Sequence, residues 1–192
     1  MLPFQASLKM QHNFGRRIAF HEDIYCRHEF QLMENAAFLY QECSKIDEFS
    51  QEHFDGYGWT SAYVRSESPK HFAERKIRIK DVYRFFQKQK FEVSTNIYSG
   101  YGFNLNEPVK STYTFEKNGL AFFSFYEGKI AKNLWFINFG SINTGMIDDE
   151  EFKHILIAIG KKWNLLLVDW DWTVVVNLQS ESEVEHYVKG EF

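Results

Sequence analysis

A chain of 192 residues and 22.9 kDa, 44 % hydrophobic and 25 % charged with a mean hydropathy of −0.42, has the composition of a folded soluble protein, which excludes disordered and fibrous classes. Its 22 Lys and Arg against 26 Asp and Glu leave a net charge of −4, which argues against general nucleic-acid binding because polyanions are held by phosphate neutralisation. At this length a single domain over 1–192 is the first expectation and two small ones the second.

Taken in chain order, the first residues lack the continuous apolar run of a signal peptide, since Lys9, Gln11, His12 and Asn13 interrupt it. A short strand is expected over 16–20. Over 31–47, Leu32, Ala36, Leu39, Cys43 and Ile46 recur at three and four residues, which predicts an amphipathic helix. The segment 49–59 ends in Gly56-Tyr57-Gly58-Trp59 and reads as a loop. Asp81 is placed to cap a helix whose inward face is Val82, Phe85 and Phe86, with Arg84, Lys88 and Lys90 in water.

From Ser111 the period changes to two. Tyr113 and Phe115 alternate with Thr112, Thr114 and Glu116, and Asn118-Gly119 supplies the residues a type I′ hairpin turn requires before a second strand over 120–126. A third strand over 134–139 completes an antiparallel meander. Asp148 with Glu151 has capping-box spacing ahead of the stripe Phe152, Ile155, Leu156, Ile159 and Trp163. Strands over 165–168 and 173–178 follow, then a polar acidic tail expected to fray. This order predicts an α+β fold: an antiparallel or mixed sheet with a central meander and helices packed on it.

The modest total charge conceals blocks: −7 over 21–55, +6 over 70–90 and −6 over 145–192. They either meet one another across the fold or present an acidic face to a basic partner. Cys26 and Cys43, 17 positions apart, make neither a disulfide framework nor a metal-type pair, so the reducing cytoplasm is the expected compartment. No stretch approaches the length of a membrane span.

Catalytic signals are weak. His21-Glu22-Asp23 through Cys26 to His28-Glu29 lacks HExxH order and reads as an exposed acidic lead-in to the helix. Gly100-Tyr101-Gly102-Phe103 lacks the rest of a phosphate loop and reads as a turn. Asp169 and Asp171 flank Trp170 at a strand end, where alternation places both acids on one side and Trp170 on the other. Paired carboxylates bind metals or move protons, but no third ligand is identifiable, and no catalytic residue, cofactor or metal is expected. Most of the 35 aromatic residues belong in the core, since a surface carrying them all would aggregate.

The N-terminal strand, the helix carrying Phe38-Leu39 and ending Ile46-Asp47, Phe49-Ser50 with its aromatic turn, and the C-terminal tryptophan/acid strand together resemble bacterial polymorphic-toxin immunity proteins of the immunity protein 52 type. The resemblance covers nearly the whole chain. It departs in having His53-Phe54 where a tryptophan is expected, and no proline in Asp169-Trp170-Asp171-Trp172. It implies a non-enzymatic protein, monomer or homodimer, that binds and blocks a cognate toxin, often a nuclease delivered by a type VI or contact-dependent system. On that reading Asp55, Asp169 and Asp171, with Trp59 or Trp172 as anchors, cover the toxin's basic active site without contacting nucleic acid or membrane. The alternatives are an enzyme or small-ligand site assembled from residues such as His21, His154 and Asp169, and a structural or assembly subunit.

Overall fold

The computed structural model describes residues 18–21, 27–95, 97–101, 104–138 and 148–191. The chain is α+β, with its strands paired mostly antiparallel. It divides into two compact units, Met1–Arg27 with Lys76–Ile147 and His28–Arg75 with Asp148–Phe192. The N-terminal residues read for a leader lie outside the described residues, as do Glu22, Asp23 and Cys26.

In the first unit, β1 (Ile18–His21) runs parallel to β4 (Ile97–Tyr101), and β5 (Asn104–Pro108) pairs antiparallel with β4 across a bulge between Ser99 and Tyr101. Gly100 and Tyr101, read as turn residues, are therefore strand; Gly102 and Phe103 lie outside the described residues. The meander forms as expected from β6 (Thr112–Lys117), β7 (Leu120–Glu127) and β9 (Trp135–Asn138), with β3 (Glu92–Ser94) beside β6 and the short β8 (Ile130–Ala131) beside β7. Lys117 pairs with Leu120, and Asn118 and Gly119 both take positive φ, 48° and 79°, as the type I′ turn demands.

Strand β7 is buried on both faces. Helix α2 (Ile79–Lys88) drives Phe86 onto one of them, 4.4 Å from the Phe115 ring and 4.7 Å from Phe122, while Ile97, Phe123, Trp135 and Ile137 fill the other. Each fully buried phenylalanine is worth about 1.5–3 kcal/mol. Asp81 does not cap α2: the helix starts two residues earlier, after an extended Arg78, and Asp81 in its first turn accepts the Arg78 Nε–H at 2.8 Å.

The second unit is a three-stranded antiparallel sheet in the order β2 (His28–Leu32), β10 (Leu165–Asp169), β11 (Val174–Asn177). The predicted helix over 31–47 begins later, as α1 (Ala36–Glu52), because 28–32 is claimed by pairing with β10 and its alternating Phe30 and Leu32 are buried. Leu39 and Cys43 of α1 pack on Leu166, Val168 and Val175. Helix α3 (Asp149–Trp163) packs on β10 and starts after Asp148, whose side chain makes no capping bond. The tail expected to fray is instead α4 (Glu181–Lys189), capped by Ser180 Oγ accepting the Glu183 N–H and packed on α3 and β11.

Candidate functional site

Strand β10 delivers Asp169 to the end of the sheet, where its cross-strand partner is His28, the first residue of β2. Alternation sends Asp169 to the same face as Leu165 and Leu167, and there it is 2 % exposed. A buried carboxylate survives only if its oxygens are occupied. Oδ1 accepts the N–H groups of Asp171 (3.0 Å) and Trp172 (3.2 Å), closing the turn that follows β10, and Oδ2 accepts the Tyr187 hydroxyl of α4 at 2.9 Å and faces His28 Nε2 at 3.4 Å. Burial would raise its pKa; His28, Tyr187 and the backbone donors outweigh that and hold it below the ordinary value. The same burial, with the negative charge of Asp169 added, pushes the Tyr187 hydroxyl up, so it stays a donor.

The two acids do share a side. The ligand atoms of His28, Asp169 and Asp171 lie within 4.8 Å of one another, with Asp171 exposed, whereas Trp170 packs back against the α1 cluster under the Arg65 guanidinium, 4.4 Å from its ring centre. Trp172 projects outward and is 66 % exposed. Beyond it Thr173 holds φ at 51°, a left-handed conformation unusual for a β-branched residue, and its hydroxyl donates to Asp47 of α1 at 2.6 Å. Asp169, expected from the sequence at a partner-facing edge, is buried and holds the turn that presents Asp171 and Trp172.

The second group, Asp55 and Trp59, lies in the turn after α1. Asp55 Oδ1 accepts the Tyr57 and Gly58 N–H groups at 2.9 and 3.0 Å, which hold its carboxyl below the ordinary value, and Gly56 supplies the positive φ of 95°. Phe54 and Trp59 bridge across this turn, their rings 5.6 Å apart, and Tyr57 stands fully exposed at its tip. Asp55 thus shapes the loop that presents the aromatics.

Sequence reasoning put His28 in an exposed acidic lead-in to the helix, whereas it opens β2 opposite Asp169, and it did not single out Tyr187. The available signals were the alternation of Phe30 and Leu32 after His28, and the Ser180-x-x-Glu183 helix start before Tyr187. Of the residues proposed for an assembled site, His154 is exposed on α3 with its Nδ1 2.6 Å from the Glu150 carbonyl, and the side chain of His21 lies outside the described residues. Cys43 is buried and free, its thiol pushed up to about 11 by burial and by Asp47 and Glu42, the opposite of an activated nucleophile. Among the described residues no helix is long and apolar enough to cross a membrane. Comparison with family models, with curated proteins and with solved structures finds no match to this chain.

Proposed function

We propose that this chain is a non-enzymatic binding protein whose second unit engages a basic surface of another protein, and that it serves as an immunity protein covering the active site of a bacterial toxin. The observation that carries the reading is a coincidence of two properties in one unit. The large exposed hydrophobic side chains among the described residues, Tyr40, Phe54, Tyr57, Trp59, Val64 and Trp172, all belong to the second unit. That unit also holds 19 acids against 8 bases, a net charge of −11. Exposed Trp and Tyr are the side chains that dominate interface energetics, and surrounding charge of one sign selects a partner of the other and speeds its arrival. The left-handed Thr173 adds to this, since backbone strain of about 1–3 kcal/mol persists where the surrounding structure fixes it, often at binding sites.

The test is co-expression with a toxin-like product encoded beside it. The proposal expects cell survival and a complex on gel filtration, with Trp59→Ala and Trp172→Ala each weakening the complex by about tenfold or more. Both side chains are 66 % exposed, so the thermal midpoint of the unbound variants should stay near that of the parent. Unimpeded killing with no complex would sink the reading.

A further inference from the structure

We propose that His28, Asp169 and Asp171 form a binding site for a divalent transition-metal ion, with Zn2+ the ion best suited to one imidazole and two carboxylates. Three different segments contribute: the start of β2, the end of β10 and the turn after it. The 3.4 Å between His28 Nε2 and Asp169 Oδ2 is long for a charge-assisted hydrogen bond. It equals the edge of a ligand tetrahedron built on metal bonds of about 2.0–2.1 Å, roughly 3.3–3.5 Å.

Outer support for Asp169 as a ligand is already in place. Tyr187 and two backbone N–H groups fix the Asp169 carboxylate without using the lone pair that faces His28, and such outer hydrogen bonds orient ligating carboxylates in metal sites. His28 offers Nε2 when its proton sits on Nδ1. Asp171, exposed, supplies the third ligand. Electrostatics favour the same occupant, because a cation between Asp169 and Asp171 relieves the repulsion of two carboxylates gathered in one 4.8 Å cluster. This site is independent of the partner-binding reading: the ion would brace the turn that carries Trp172, yet either proposal stands without the other.

Isothermal titration of Zn2+ into the full chain, paired with thermal melts, decides the matter. The expected result is saturable binding of one ion per chain that raises the melting temperature. Asp171→Asn, a surface change that leaves the backbone donors to Asp169 intact, should weaken binding by tenfold or more, and His28→Gln should do the same. His154→Ala, which alters an exposed histidine elsewhere in the unit, should leave it unchanged. No saturable binding to the parent chain, or an affinity that Asp171→Asn leaves untouched, overturns the proposal, and because Asp171 is exposed this variant keeps the test valid even if His28→Gln fails to fold.

Discussion

Two carboxylates in the second unit are almost wholly removed from water, and in each the donors around it outweigh burial and hold the pKa below the ordinary value. Asp169 gives each oxygen two polar partners, from the backbone, from α4 and from β2. Glu42, 0 % exposed on α1, accepts the Ser66 N–H at 2.7 Å and the Tyr63 hydroxyl at 3.0 Å, with Lys45 Nζ 3.5 Å away. Burial pushes the Glu42 carboxyl up, but these donors outweigh it and hold the pKa below 4.5. A depressed folded pKa means that Glu42 contributes its full stability above about 4.5, the unfolded value, and loses it as pH falls through the lower folded value. Urea midpoints measured from neutral pH downward should therefore fall less steeply for Glu42→Gln than for the parent. Removing the acceptor at the other site has a cost at every pH where Asp169 is charged. Asp169→Ala should destabilise by about 3–5 kcal/mol because it strands His28 and three hydrogen-bond donors, and Tyr187→Phe by about 1–2 kcal/mol, both measured by urea denaturation.

Helix α3 meets the turn after β11 at a glycine. A Cβ built on Gly160 would lie 2.3 Å from Leu178 Cβ and 2.6 Å from its backbone, so this position must lack a side chain for the turn to seat. Gly160→Ala should destabilise by about 1–3 kcal/mol despite the higher helix propensity of alanine, a reversal that denaturant melts will detect. The elements that sequence patterns described well are those whose determinants are local. The β6–β7 hairpin is dictated by two adjacent residues, Asn118 and Gly119, and by alternation on either side. The start of α1 was misplaced because helical periodicity through Leu32 competes with strand pairing to β10, and that pairing involves residues far away in the chain. The α4 cap at Ser180 was equally local but masked by the acidity of its surroundings.

The charge blocks take on meaning once the chain is divided as the fold divides it. Two of them, on either side of the basic helix region, draw most of their acids from the second unit, which reaches −11, whereas segments 1–27 and 76–147 carry 14 bases against 7 acids, or +7. The net −4 is the residue of two strongly charged units of opposite sign. If the second unit receives a basic partner, its association rate should fall steeply as ionic strength rises from about 0.01 M to 0.15 M, since the Debye length shrinks from roughly 30 Å to 8 Å, while dissociation changes little. Stopped-flow mixing at several salt concentrations reads this directly, and a salt-independent rate would remove the electrostatic part of the proposal.

The aromatic wealth of the chain and the meander were legible in the residues, because burial preference and side-chain period act over a few positions; Asp169 and Asp171 come together as read, but through the turn after β10 and not by strand alternation. The same reading could not tell that Asp169 would be sealed inside while Asp171 and Trp172 remained outside. That depends on β2 and α4 arriving from opposite ends of the second unit's sequence to supply His28 and Tyr187, and burial of a charge is decided by whichever distant groups come to satisfy it.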